Sequence, residues 1–404
     1  MTLVVVEVAR VIPDSANSLT IPLTFFDIPW LVFHPVKRVF FYRLTESTRE
    51  HFHSFILPKL KLSLSLVLRN YLPLSGRITW EPNKPKPSIV VSQDDAVSVT
   101  IAETDSDFSR LSGYGQRPVS ELHTLLPELP VSDDSATAFS LQITLFPDQG
   151  FSIGVAAHHA VLDGKTSSMF IKAWAHSCKH ENSVSLPEVI TPSLDRSMIK
   201  DITGLDEKMI KIVRSLKEET TNERSLRPIP AGELGDDVVL ATVVLCRDDV
   251  ERLRERVKRN PDRPLHLSTF VIACLRVDLL CEGAWRKRFA EERRIVNAVE
   301  ILSGLVKGLS SRKIETIAKE FADGFDSQGE SSQFWSVAGS NRLGVYESDF
   351  GWGRPVKVDV VSIDQGAMSM AESRDESGGV EIGMCLKKAE MDIVLSIFNN
   401  GLQC

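Results

Sequence analysis

The sequence predicts a mixed α/β protein built from two domains of similar size, and three observations carry that prediction. First, 404 residues give room for more than one ordinary hydrophobic core, and 43% hydrophobic with 25% charged residues is a globular composition. Second, apolar patterns of period two and period 3.6 interleave in both halves, so strands and helices are mixed throughout rather than segregated into blocks. Third, residues 186–235 carry Pro, Gly and polar runs around one charged helix, Asp206 to Glu219. That stretch reads as a crossover between a first domain, 1–185, and a second, 236–404.

Each element has a local reason. Met1 to Val6 is apolar but meets Glu7 and Arg10 at once and has no basic lead-in, so it reads as a first strand rather than a secretory leader. Leu19 to Asp27 is aromatic and broken by Pro22, hence irregular, and Arg38 to Tyr42 is a strand. Between Ser47 and Leu72 the residues Leu57, Leu60, Leu64, Leu68 and Tyr71 recur every three or four positions, a helix interrupted at Pro58 and ended by Pro73. Ile89 to Ala102 is Val-rich and partly alternating, a strand or a strand pair. Phe139 to Phe146 and Phe151 to Ala157 alternate on either side of Pro147-Asp148-Gln149-Gly150, which makes them a β-hairpin. In the second half, Val238 to Leu245 is a strand and Arg247 to Val257 a charged helix. A buried helix follows from His266 through Cys281, and more helix from Ile295 to Phe325. Strands lie around Val356 to Ile363 and Val380 to Leu386, before a last helix, Ala389 to Asn399.

Composition also excludes some functions. A net charge of −7 and a pI of about 5.8 do not suit nucleic acid as the main partner. No apolar run is long enough to span a bilayer, so the expected protein is a cytoplasmic monomer that does not enter membranes. Cys178, Cys246, Cys274, Cys281, Cys385 and Cys404 form no CxxC pair and read as reduced thiols. His176 and His180 flank Cys178, but no further Cys/His cluster completes a metal site, so no metal is expected.

Chemistry concentrates in His159-Ala160-Val161-Leu162-Asp163-Gly164. Continuing the strand's alternation puts His159 on the face of Phe151, Ile153, Val155 and Ala157, with His158 on the other. A neutral imidazole, with an ordinary pKa of about 6.5, can take a proton from an alcohol. Asp163, or a nearby Ser or Thr, can cap the helix that runs through Met169, Phe170, Ala173 and Trp174, and Asp163 could also orient the histidine or pair with an arginine. Taken alone, the same spacing also fits a core histidine beside a capping aspartate.

A second motif, Asp349-Phe350-Gly351-Trp352-Gly353, follows toward the C-terminus. With HxxxD and DFGWG in that order, the sequence resembles the plant BAHD acyltransferase family. Further matches are Leu60-Lys61-Leu62-Ser63-Leu64-Ser65, Pro73-Leu74-Ser75-Gly76-Arg77, Ser268-Thr269-Phe270 and Gly378-Gly379-Val380-Glu381-Ile382-Gly383. Leu23 to Asp27 and Val345 to Asp349 are similar to the anthocyanin and phenolic-glucoside group, many of whose members are malonyltransferases.

The resemblance implies two chloramphenicol-acetyltransferase-like domains with an active-site channel between them. It implies no resident cofactor, acyl-CoA (malonyl-CoA favoured) as co-substrate, and a glycosylated phenolic small molecule as acceptor. His159 would be the general base, Asp163 the aspartate that holds its loop through an arginine, and Asp349 a second functional acid. Ser268 and Thr269, at a helix start, would contact CoA. The chain has no GxxxxGK[ST] loop, which fits a thioester donor rather than ATP. Two alternatives stand beside this reading: a hydroxycinnamoyl-CoA donor, and a truncated inactive paralogue that only binds ligand.

One departure from the family matters. After the Ser-Thr-Phe helix, similar proteins carry a Pro-Pro loop with an arginine and then a Tyr-Phe-Gly-Asn-Cys strand. Here Cys281 runs through Glu282 to Ile301 straight into Leu302-Ser303-Gly304-Leu305. The chain is several dozen residues shorter at this point. A sheet that loses a strand exposes an edge, so weak protection is expected across Val356 to Ile363 and Val380 to Leu386.

Overall fold

The computed structural model describes residues 2–217, 224–230, 235–258, 267–274 and 336–401, except 16, 47, 182, 184, 364–366 and 376–377, together with single residues and short runs between 302 and 323. Its centre is a six-stranded mixed sheet. The spatial order is Leu3–Val11, Val97–Thr104, Phe139–Phe146, Gly150–Ala157, Val36–Arg43 and Lys357–Val360. The expected hairpin is present, paired in unbroken register from Gly150 opposite Phe146 to Ala157 opposite Phe139. Both of its strands are buried on both faces, as central strands of a covered sheet must be.

One face packs on the helices Leu57–Leu68 and Gly164–Lys179. Leu57, Leu60, Leu64 and Leu68, the positions the helical period selects, join Phe151, Ile153, Val155, Phe170 and Trp174 in one core. The Trp174 indole donates to the Leu60 carbonyl at 3.1 Å and locks the two helices together. Pro58 does not break the first helix. It sits in the opening turn of Leu57–Leu68, where a missing N–H is tolerated, after a π-helical turn at Phe52–Ile56.

The second sheet runs Ser336–Ser340, Ala367–Glu372, Val380–Lys387, Val238–Leu245, Arg117–Pro118. Its core gathers Val239, Ala241, Val243, Ile382 and Met384 with Met391 and Val394 of the last helix, Lys388–Gly401. A third sheet, Leu19–Pro22, Ser88–Val91, Arg77–Thr79 and Ser135–Thr137, packs with the helices Ile28–Val32 and Leu205–Ser215. The Val-rich stretch read from Ile89 to Ala102 is therefore a strand pair divided between two sheets.

Two strands cross between the halves of the chain. Lys357–Val360 pairs with Val36–Arg43 and joins the first sheet, while Arg117–Pro118 pairs with Val238–Leu245 and joins the second. Buried charges reinforce the crossing. Arg117 grips the Asp359 carboxylate with two donors, at 2.5 and 3.2 Å, and Lys357 donates to Glu381 at 2.9 Å. The hydroxyls of Tyr114 and Tyr346 also donate to Glu381, at 2.9 and 2.7 Å.

The expectation of an exposed edge at Val380 to Leu386 is corrected here, while the strand within Val356 to Ile363 does lie at a sheet edge. Val380–Lys387 has a strand on each side, whereas among the described residues Lys357–Val360 pairs only with Val36–Arg43 and is an outer strand of the first sheet. Among the described residues, the outer strands of the second sheet are Ser336–Ser340 and Arg117–Pro118. The stretch from Cys281 to Ile301, with Cys281 and Cys404 themselves, lies outside the described residues, as does much of the helix read from Ile295 to Phe325. Cys178, Cys246 and Cys274 are free thiols.

Candidate active site

The turn that carries His159 begins where the hairpin's pairing stops, at Ala157. The His158 carbonyl accepts from Val161 N at 2.9 Å and Leu162 N at 3.3 Å, which folds the chain back on itself. Strand alternation therefore ends before His159, and this corrects the expected shared face with Phe151 and Ala157. The His159 ring instead stacks on Trp30, with centroids 3.9 Å apart and planes 7° from parallel. Trp30, in the helical turn Ile28–Val32, packs against the third core. His158 does face elsewhere: it is buried, and its Nδ1 accepts from Ala160 N at 3.2 Å.

Both imidazoles are pushed toward the neutral form. Burial, with the neighbouring His159 and Lys217, pushes His158 down to about 4. Burial also holds His159 below its ordinary value, and the Arg38 charge acts in the same direction against Asp163 and the residue's own backbone. Nδ1 of His159 is buried and has no partner in another residue.

Asp163 caps the helix Gly164–Lys179, its carboxylate accepting from Thr166 N at 2.6 Å. The carboxylate is exposed; it supports the helix start, and its charge also acts on the His159 imidazole. Behind it lies Arg38, which is buried and whose charge Asp163 stabilises against the cost of burial. Among the described residues Arg38 occupies the neighbourhood that the family resemblance gives to an arginine of the shortened segment. A Cβ on Gly164 would stand 3.7 Å from Nη2 of Arg38.

Asp349 lies at the other end of that helix. Its carboxylate pairs with Lys179 Nζ at 2.6 Å and accepts from Gly351 N and Gly353 N at 2.8 and 3.0 Å. Sixteen helical residues separate the two ends, which at 1.5 Å per residue is roughly 24 Å. Asp349 and His159 are thus not brought together. Burial pushes the Asp349 carboxyl up, but Lys179 and the two glycine N–H groups outweigh it and hold it below the usual carboxylate range. The rest of DFGWG packs: Phe350 meets Tyr42 and Trp174 edge-on, and Trp352 meets Phe151. Gly351 and Gly353 both have φ of +106°, a conformation that side chains resist. Asp349→Ala is accordingly expected to cost about 1–3 kcal/mol in a denaturant melt, with kcat of the folded fraction changed less than about threefold. A far larger kcat loss at unchanged stability would return Asp349 to the chemistry.

Ser268 caps the helical run 269–274, its hydroxyl accepting from Val271 N at 3.3 Å. Thr269 Oγ1 accepts from Arg254 at 3.4 Å. No described contact joins either to His159. Sequence reasoning missed two residues of the site, Trp30 and Arg38. A signal for Arg38 existed: it shares strand parity with Phe40 and Tyr42, so an arginine stood on a core-facing position.

With this geometry in place, comparison with known proteins is decisive. The model of the Transferase family matches residues 2–254 and 301–399. The chain belongs to this family, the BAHD acyltransferases. It is 65% identical to phenolic glucoside malonyltransferase 2 of Arabidopsis thaliana, with 100% of both chains covered. It is 44% identical to malonyl-CoA:anthocyanidin 5-O-glucoside-6''-O-malonyltransferase of the same plant, covering 99% of this chain and 98% of that one. Vinorine synthase has the same fold, with a TM-score of 0.67 at 17% identity over 97% of this chain and 96% of that chain. As a BAHD member the chain is an acyl-CoA-dependent O-acyltransferase. The family model passes over 255–300, the interval that contains the shortened stretch after Cys281. The 65% alignment likewise spans 451 positions, more than the 404 residues available. Among the described residues, no helix of this BAHD protein is long and apolar enough to cross a membrane, and no three His, Cys, Asp or Glu side chains group to hold a metal.

Proposed function

We propose that the chain moves a malonyl group from malonyl-CoA to a sugar hydroxyl of a phenolic or flavonoid glucoside. The observation that carries the reading is the match in kind between the site and the relatives: a half-buried His159, pushed toward the neutral form, in a chain 65% identical to a phenolic glucoside malonyltransferase. A proton kept on the buried Nδ1 leaves Nε2 with the free lone pair. Nε2 takes the hydroxyl proton as the oxygen attacks the thioester carbonyl. The tetrahedral intermediate then collapses, the C–S bond breaks, and the departing CoA thiolate receives the proton. Each atom is accounted for without an acyl-enzyme.

In this reading Asp163 and Arg38 hold the turn, Asp349 clamps the far end of the helix, and the halves 1–185 and 236–404 close on the substrates across the 186–235 crossover. Ser268 and Thr269 remain the CoA-side residues, and Arg254 brings a cation to them that suits CoA phosphates. The test is thiol release and product mass, with malonyl-, acetyl- and coumaroyl-CoA offered against a panel of phenolic glucosides. Malonyl products are expected. Coumaroyl products alone would replace the donor class. The interval 255–300, unmatched by the family model, favours one second reading, a paralogue that binds without turnover; acyl-CoA binding with no thiol release from any donor would establish it.

A further inference from the structure

Arg38 is 5% exposed in the strand Val36–Arg43, yet its hydrogen-bonding capacity is almost unused. Nε is buried and has no partner, and Nη1 reaches only the Ser168 hydroxyl, at 3.5 Å. A guanidinium carries five donors in a planar fork shaped for a carboxylate, and leaving them unfilled in an interior is costly. The carboxylates whose charge it feels are committed elsewhere: Asp163 to Thr166 N, and Glu372 to Gly344 N and Tyr346 N.

The fork lines a cavity between the first and second sheets, shared with Thr242, Leu343, Lys357, Ser369 and Glu381. The other charges on its wall are closed on one another, Lys357 with Glu381 and Asp359 with Arg117. Thr242 Oγ1 is buried and has no partner either. The cavity therefore presents one unfilled cation and one unfilled hydroxyl. Two residues of its wall also adjoin the turn of His159: a Cβ on Gly164 would stand 3.5 Å from Leu343 Cδ1 and 3.7 Å from Arg38 Nη2.

We infer that this cavity receives the terminal carboxylate of the transferred acyl group, with Arg38 as its cation and Thr242 as a hydroxyl donor. The inference rests on the malonyl reading given above. In a malonyl thioester the carboxylate stands one methylene from the reacting carbonyl, so its subsite has to lie beside the general base. An acetyl group has nothing to place there, and a hydroxycinnamoyl group would leave the guanidinium unfilled.

The test compares wild type, Arg38→Gln, Arg38→Lys and Thr242→Val with malonyl-CoA and acetyl-CoA on one acceptor, each variant's melting temperature being recorded. Because Arg38 also holds the turn of His159, Arg38→Gln is expected to lower kcat/KM with both donors, but by about tenfold or more further for malonyl-CoA than for acetyl-CoA, with Arg38→Lys between wild type and Arg38→Gln. Equal losses with both donors would overturn the inference and leave the malonyl reading intact. A wild type that transfers acetyl but not malonyl would overturn both. Should Arg38→Gln fail to fold, Thr242→Val decides: a selective loss of about threefold in kcat/KM for malonyl-CoA supports the subsite, and no selectivity rejects it.

Discussion

His159→Ala is expected to lower kcat by roughly 10²- to 10⁴-fold, the usual worth of a positioned general base, with little change in melting temperature. The ring is half-buried and makes no hydrogen bond to another residue, so its removal leaves no polar partner orphaned. His158→Ala should behave in the opposite way. Its loss strands Ala160 N inside the turn and empties a buried site, so melting temperature falls first and rate follows. The pH profile separates the two further. Protonation removes the base, and burial keeps the His159 pKa below its ordinary value, so activity should persist to a pH below about 6.5 before declining. Trp30→Ala opens the stacked face to water and should move that acidic limb upward, toward the free imidazole value. A limb that stays in place in His159→Ala would assign the base to another group.

Asp359→Ala should be among the most damaging single changes for stability. It leaves Arg117 and Lys357, each 1% exposed, beside a missing counter-charge at the point where strands from the two halves of the chain meet. Breaking one partner of a buried pair costs about 3–5 kcal/mol, against a total of roughly 5–15 kcal/mol for an ordinary domain. Urea unfolding reads the loss directly. Replacing both partners, Arg117→Met with Asp359→Leu, should recover part of it, since an apolar pair leaves no stranded charge. A single variant that loses less than about 1 kcal/mol would mean that this network does not hold the sheets together.

Legibility from the sequence was uneven for physical reasons that particular residues show. The hairpin Phe139 to Ala157 and the helix of Leu57, Leu60, Leu64 and Leu68 could be read because each places its apolar side chains on one surface at a fixed period. Asp163 as a helix cap could be read because capping is a contact three residues long. His159 could be named but not aimed. Its direction depends on two backbone hydrogen bonds to His158 and on Trp30, which comes from 129 positions earlier in the chain.

The sequence by itself determined the family, the class of fold and the local start of the helix at Gly164. These are settled by residue types at short, regular spacings, where the backbone allows few arrangements. Only the tertiary structure decided which strand covers which edge, and that Lys357–Val360 and Arg117–Pro118 exchange between sheets. It alone set Asp349 a helix length from His159 and brought Arg38 to the turn at Gly164. Such pairings join residues tens to hundreds of positions apart, and their energy comes from burial and charge complementarity that no local pattern records.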